Sequence, residues 1–491
     1  MVALLAGVAS GLLAGFSFPP VDAGPLVLVA LLPLLWVWRT ATPGRGALAG
    51  FGFGLACFGV LLEWTRYFGA VAIAPLVLAE AAFVAGTGAL VALFVRRGYR
   101  SPWLVAAIWV VVEALRARFP LGGLPWGELG VALHDQPWAR ALASLGGVPL
   151  VSFVVVAVNG LLLELLVAAH RRRMRPAAFA AGSLGLLMLA VGVVDLTRFQ
   201  PTVTGEIRYA LLQGNDQNRN LTAEEVASDY LFRKHLDLAS ELEGPYDLIV
   251  FPESSAERDP TTNPDVRAEL TALARAHDAT VVANARVPTG DGGLYNANIA
   301  YSPSGREQGI YAKQHLVPFG EYVPLRDQLS FIGELDQIPY DYEPGDRPVM
   351  FRARSHPIGS VICFESAFAP IVSDYVRDGA ELLLVSTNNR SYRRSGLSAQ
   401  HVALSQMRAA ETGRPVLHAA ISGISAVVDP DGDVHDESEL FVNRITDGTI
   451  ETTTGDTVYV ALGDWVLVLS GLVLIVVAAA AVLRPRAAPV D

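Results

Sequence analysis

The chain has 491 residues, 52% hydrophobic and 17% charged, with a formal net charge of −11. So apolar a composition excludes an ordinary soluble protein and a disordered chain, and the length allows more than one domain. The charge is uneven, with Arg outnumbering acid in roughly the first 200 residues and the acid gathered between about 205 and 457, a distribution that argues against a nucleic-acid partner.

Apolar stretches fall roughly at 2–18, 24–38, 47–65, 71–95, 102–116, 146–169, 177–196 and 462–483. About 20 apolar residues cross a bilayer, so these are eight candidate transmembrane helices. The first has no basic leader and runs into Phe18-Pro19-Pro20 rather than a small-residue cleavage site, and is expected to be retained as a span. Alternate loops hold Arg39 and Arg45, then Arg96, Arg97 and Arg100, then Arg171, Arg172, Arg173 and Arg175, and finally Arg484 and Arg486. The positive-inside bias then puts both termini in the cytoplasm and the polar region outside the cytoplasmic membrane. The expected domains are a membrane domain over 1–196, a catalytic domain over 197–460, a last span over 461–483 and a cytoplasmic tail over 484–491. Glu63, Trp64 and Tyr67, and Glu113, Arg116 and Arg118 ahead of Pro120–Trp126, sit at outer ends of spans. They fit an interfacial belt with snorkelling charges, or a face that docks the outer domain and shapes a lipid entrance.

Between 205 and 450 the pattern turns to short β-rich runs alternating with helical ones. Strands are expected at Ile207–Leu212, Asp247–Phe251, Thr280–Ala285, Ala297–Tyr301, Ile310–Ala312, Ile358–Ile362, Leu382–Ser386, Val416–Ala420 and Ser425–Val428. Helices are expected at Ala223–Glu243, Asn263–Ala276, Ala369–Asp378 and Leu397–Thr412, the last stopped by Gly413-Arg414-Pro415. That interleaving predicts an α/β domain with mixed sheets and no sequence repeat. The two cysteines, Cys57 and Cys363, exclude a disulfide framework, and the nine histidines show no metal-ligand spacing. Neither a metal nor a cofactor is implied.

Three strand-like runs end in residues with chemistry: Glu253 in Phe251-Pro252-Glu253-Ser254, Lys313 in Tyr311-Ala312-Lys313, and Cys363 in Ile362-Cys363-Phe364-Glu365. Open α/β sheets place their sites at such strand ends. Singly, each fits a bland role as an inert buried thiol, a solvated carboxylate or a surface ammonium. Together they make acyl-transfer machinery without histidine. A thiol needs a base to take its proton and a cation to favour the thiolate, and a cation also stabilises the oxyanion formed when a thiolate attacks a carbonyl.

A strand ending in Glu, a Lys-x-x-Leu-Val-Pro-Phe-Gly-Glu-x-x-Pro segment from Lys313, and Cys363-Phe364-Glu365 resemble the nitrilase (carbon-nitrogen hydrolase) superfamily. Within it, the layout resembles the membrane-embedded apolipoprotein N-acyltransferase family along essentially the whole chain, from Phe18-Pro19-Pro20 through Glu113–Trp126 to Arg408–Pro415 and Ser422–Ser425. The resemblance implies an extracytoplasmic α-β-β-α sandwich attached to a polytopic helical membrane domain. It makes Cys363 the nucleophile, Glu253 the general base and Lys313 the electrostatic partner, with Glu321 steadying the lysine. Glu365, Phe364, Asn388 and Gln213 would support or orient substrate. For Glu365 a helix cap, and for Gln213-Gly214-Asn215 a strand-end turn, remain alternatives. The sequence departs from the family pattern at Phe364, where Tyr is usual, at Asn388-Asn389-Arg390-Ser391-Tyr392-Arg393, and in lacking a tryptophan between Asp216 and Glu225.

The resemblance further implies a monomer with a phospholipid acyl donor, attacked at sn-1 to give a thioester on Cys363, and a diacylglyceryl apolipoprotein as the amine acceptor. Apolar Gly320–Pro344 is expected to be either a packed surface excursion or a lid that keeps water from the thioester. The alternatives are a membrane-anchored amidase or hydrolase of the same superfamily, and an inactive lipid-binding or transport protein.

Overall fold

The computed structural model describes residues 1–483 apart from 217–221, 223, 226, 227, 291, 334, 336, 337 and 339, and at 70 and 71 the backbone alone. Arg484, Arg486 and the expected tail lie outside the described residues, as do parts of the expected helix at 223–243 and of the 320–344 segment. The chain forms two compact units, one of Met1–Arg198 with the chain from Leu462, the other of Phe199–Ala461.

The first unit is helical. Among the described residues five helices are long and apolar enough to cross a membrane: Pro43–Leu61, Ala72–Arg96, Pro137–His170, Met174–Leu196 and Trp465–Leu483. Val2–Gly15 and Gly24–Trp38 are shorter apolar segments, and Pro102–Arg116 adds a helix of 15 residues. Small residues set their spacing. A Cβ on Gly50 would lie 2.2 Å from the Val84 carbonyl oxygen and one on Gly54 2.3 Å from Ala81 Cα, so these helices touch backbone to backbone, the contact apolar helices use in place of a hydrophobic drive. The 24–38 segment breaks between Ala30 and Leu32. Buried Asn159 satisfies the break, donating to the Val27 carbonyl and accepting from Leu31 N–H, each at 2.9 Å. Where no water is available, an open helix turn needs such a partner. Asp22 and the adjacent pair His134 and Asp135, distant from it in sequence, bring their side-chain oxygens and nitrogens within 4.8 Å, with His134 Nε2 3.0 Å from Asp22 Oδ1.

The second unit holds two six-stranded sheets. The strands are β1 (Thr202–Gln213), β2 (Leu248–Val250), β3 (Thr280–Pro288), β4 (Leu294–Tyr301), β5 (Glu307–Ala312), β6 (Met350–Ala353), β7 (His356–Ile362), β8 (Leu382–Thr387), β9 (Val416–Ala420), β10 (Ala426–Val428), β11 (Val434–Glu437) and β12 (Arg444–Thr454). One sheet runs β12-β1-β2-β3-β4-β5 and the other β11-β10-β9-β8-β7-β6. Each carries a parallel trio, β1-β2-β3 or β7-β8-β9, flanked by antiparallel strands. The strand directions therefore repeat between sheets although the sequence does not. Ile207, Leu248 and Val250 of one sheet share a buried cluster with Ile358, Val361 and Val385 of the other. The outer face of the first sheet packs Ile249 and Val281 against Phe232 and Leu270 from helices Tyr230–Ala239 and Pro264–His277, while Val372 and Tyr375 of helix Ala369–Arg377 join the second sheet. The layers are helix, sheet, sheet, helix.

Candidate active site

The three residues singled out above follow β2, β5 and β7. Phe251 N–H extends the β2 ladder to the Val282 carbonyl at 2.8 Å, and Pro252 ends it. Ser254, at φ 63°, then turns the chain, and its N–H donates to Asn284 Oδ1 at 2.8 Å. Lys313 is held by its backbone, donating to the Asn296 carbonyl and accepting from Gly345 N–H, both at 2.8 Å. Cys363, at φ 51°, leaves β7 and opens the tight turn Cys363–Ala367. A left-handed conformation is strained for a residue with a side chain and is commonest at functional turns.

The side chains meet around one amide. Lys313 Nζ lies 2.9 Å from Glu321 Oε1 and 3.7 Å from Glu253 Oε1. Asn296 Nδ2 donates to both carboxylates, at 2.7 Å to Glu253 and 2.8 Å to Glu321. Ionised carboxylates only accept, so the amide must turn its nitrogen to them and its oxygen to Asn284 Nδ2, 2.9 Å away. Asn284 also donates to Asn298 Oδ1 at 3.0 Å, and Asn298 donates to Ser360 Oγ of β7 at 2.9 Å. This ladder carries the orientation from the carboxylates in one sheet to the strand bearing Cys363 in the other. The free oxygens are satisfied by backbone, Glu253 by Asn388 N–H at 2.7 Å and Glu321 by Val317 N–H at 2.8 Å.

Burial disfavours the charged form of Lys313, but Glu321 and Glu253 outweigh it and hold the ammonium above its ordinary range. Burial raises Glu253 above the usual carboxylate range, Lys313 pulls it back and Glu321 pushes it further up. The Cys363 sulfhydryl is pushed up to about 12, first by burial and then by Glu253, against the pull of Lys313 and of a hydrogen bond from Thr387. Lys313 thus acts on the thiol in the direction expected of a neighbouring cation but does not by itself offset burial. Desolvation outweighs the cation, so the resting group is the thiol.

Glu365 is fully buried, with four donors: Tyr311 hydroxyl at 2.9 Å, Gln314 N–H at 2.7 Å, His315 N–H at 3.1 Å and Ile362 N–H at 2.7 Å. Burial pushes it up to about 6. It closes the turn Cys363–Ala367 through Ile362 N–H, while the helix that follows, Ala369–Arg377, has no side-chain cap, and it also binds the chain just beyond Lys313, fixing the two strand ends at one separation. Phe364 packs edge-on against Phe368, centroids 5.0 Å apart, and tilts toward His315 at 5.9 Å. Asn388 reaches the site by its backbone, while its side-chain oxygen accepts from Arg390 N–H at 3.1 Å. Gln213 stands apart. Its oxygen accepts from Ser425 and Ser438, each at 2.7 Å, and its nitrogen donates to the Glu439 carbonyl at 2.8 Å, a strand-end brace as in the alternative reading. The segment that departs from the family pattern turns at Arg390–Tyr392 and brings Tyr392 within electrostatic reach of Cys363, Lys313 and Glu253. In the 320–344 segment Leu325 and Phe331 are exposed, and Arg326 pairs with Asp341 at 2.5 Å.

Sequence reasoning missed Asn284, Asn296 and Asn298, and Thr387 and His401 behind Cys363. A signal for the asparagines existed. Asn is disfavoured inside strands, and Asn296 and Asn298 stand two apart, hence on one face of β4.

Residues 10–161 match the apolipoprotein N-acyltransferase N-terminal domain, and residues 210–454 match the carbon-nitrogen hydrolase family. An apolipoprotein N-acyltransferase of Nitrosomonas europaea is 32% identical, over 92% of this chain and 91% of its own length. Those of Geobacter metallireducens and Methylococcus capsulatus are each 30% identical, over 94% and 95% of this chain and 91% and 93% of theirs. With apolar helices at both ends of a two-sheet hydrolase fold and relatives matched over nearly their whole length, the chain belongs to the apolipoprotein N-acyltransferase family.

Proposed function

We propose that this protein moves an acyl chain from the sn-1 position of a phospholipid, through a thioester on Cys363, to the free α-amino group of an S-diacylglyceryl-cysteine apolipoprotein. The observation that carries this reading is Lys313 held as an ammonium between Glu253 and Glu321, at the strand ends that also present a partly exposed Cys363 thiol. In the first half-reaction the Cys363 S–H bond breaks, its proton passes to Glu253, and sulfur bonds to the ester carbonyl carbon. The oxyanion is stabilised by Lys313. Collapse breaks the ester C–O bond, and Glu253 returns its proton to the leaving alkoxide, releasing a lysophospholipid. In the second, the acceptor amine attacks the thioester carbonyl, Glu253 takes the nitrogen proton, the C–S bond breaks, and that proton returns to sulfur. The two half-reactions make a ping-pong cycle needing no cofactor.

The membrane setting belongs to the same reading: eight spans, 197–460 on the extracytoplasmic side of a bacterial inner membrane, both termini in the cytoplasm, and a monomer as the working unit. Its support is the alternation of Arg-rich loops and the match of residues 10–161 to the family's N-terminal domain, a part that a tethered amidase would not need. In liposomes with a diacylated lipopeptide, wild-type protein is expected to give an acyl adduct on Cys363 and N-acylated product, and Cys363→Ala neither. An active Cys363→Ala protein would falsify the reading, and adduct turnover to free fatty acid alone would favour the hydrolase.

A further inference from the structure

Thr387, the last residue of β8, is fully buried. Parallel pairing of Ile362 with Ser386 sets the next two residues, Cys363 and Thr387, side by side at the sheet end. The Thr387 hydroxyl donates to Asn389 Oδ1 at 3.1 Å, lies 3.4 Å from His401 Nδ1 and has the Cys363 side chain within hydrogen-bond reach. His401, from helix Leu397–Thr412, places Nε2 3.0 Å from the Cys363 carbonyl oxygen and 2.8 Å from Ser366 Oγ. A carbonyl only accepts, so Nε2 carries the proton. Burial holds the imidazole down at about 4, which leaves Nδ1 bare, an acceptor. The one proton of Thr387 therefore has three acceptors in reach, of which a thiol sulfur is a weak one and a thiolate a strong, charged one.

We propose that Thr387 is a further catalytic residue, whose hydroxyl swings from Asn389 to the Cys363 sulfur as Glu253 takes the thiol proton, with His401 as a positioning residue that holds the Cys363 carbonyl. The inference rests on Cys363 being the nucleophile. The S–H bond breaks, its electron pair stays on sulfur and its proton goes to Glu253. Thr387 keeps its own O–H bond and exchanges only its hydrogen-bond acceptor, so no further reactant is involved. The charged and titratable groups facing this pair are Glu253 after β2, Lys313 after β5, Glu321 in the loop that follows, Tyr392 in the turn after β8, and His401, with His418 of β9 against its ring at 4.8 Å. A change at Thr387 alters none of these charges, so a shift in thiol reactivity would report the hydroxyl.

The test is alkylation of Cys363 by iodoacetamide in the full chain in lipid nanodiscs, followed by mass spectrometry of the Cys363 peptide from neutral to alkaline pH. Thr387→Val, close in shape but without the donor, is expected to slow alkylation about tenfold at each pH below the midpoint, move that midpoint up about one pH unit, and slow acyl-enzyme formation to match. Thr387→Ser is expected to restore the wild-type profile. A Thr387→Val profile that superimposes on wild type overturns the proposal even if turnover falls, since that result describes packing, and so does failure of Thr387→Ser to restore it. An acylating Cys363→Ala protein would overturn the nucleophile assignment and this proposal together, whereas an inactive one beside an unshifted Thr387→Val overturns this proposal alone.

Discussion

Arg116 in the helical unit and Lys313 in the α/β unit are each buried among glutamates, Glu80, Glu113 and Glu128 for the first and Glu253 and Glu321 for the second, yet they are spent differently. Arg116 Nη1 donates to Glu80 at 3.1 Å and to the Leu124 and Trp126 carbonyls at 2.8 and 2.7 Å. Its neighbour Glu113 accepts from Trp109 Nε1 at 2.8 Å and Leu129 N–H at 2.9 Å. Both charges thus hold the chain that follows the 102–116 helix, a task suited to a rigid guanidinium fork. Lys313 offers a compact charge, its ammonium tied to the Glu321 and Glu253 carboxylates, with the Cys363 thiol in its field. The same ingredients make a structural clamp where the donors go to backbone and, in the function proposed above, a reactive centre where the cation faces the Cys363 thiol.

The contrast can be broken by substitution. Lys313→Met should lower acyl-enzyme formation by at least about a thousandfold, since it removes the charge aimed at the oxyanion, and Lys313→Arg should not restore it. Single-turnover adduct formation on Cys363 measures this, and a ten-fold loss or less would show that Lys313 also is a clamp. Arg116→Met should instead cost stability, about 3–5 kcal/mol, by leaving Glu80 buried without its partner. Thermal unfolding in detergent reads that loss, and an unchanged midpoint with lost turnover would give Arg116 a functional part. The finest effect belongs to Asn296→Asp, which puts a third carboxylate beside Glu253. Glu253 already sits above its ordinary range, and as the proposed base it would act only when deprotonated, so activity should be lost as pH falls through an acid limb above the ordinary carboxylate range. A new negative charge must move that limb further up, and a kcat/KM profile with its limb unmoved or lowered would contradict the assignment of Glu253 as base.

Much of this was readable in the residues. Glu253, Lys313 and Cys363 each close an apolar run, and a polar residue at the end of a buried strand is conspicuous. The two outermost strands of opposite sheets were not expected. Val434–Glu437 is short, and Arg444–Thr454 is Thr-rich with charges on its exposed face, so its inward Thr446 and Ile450 give little apolar contrast. Met350–Ala353 escaped for its length. The 24–38 span reads as continuous because hydropathy carries no mark of the break that Asn159, over a hundred residues away, makes tolerable. The asparagine ladder and the Thr387–His401 pair are relations between strands, and each member alone looks like an ordinary polar residue.

The backbone of Cys363, at φ 51°, lies where glycine rests without penalty and a side chain does not. Judged by folding alone, glycine would be the better occupant of position 363, so a screen that rewards thermal robustness would drift toward discarding the sulfur. With Cys363 as the proposed nucleophile, selection for durability and selection for turnover pull in opposite directions at a single residue, and the cysteine would persist there only while its product is needed.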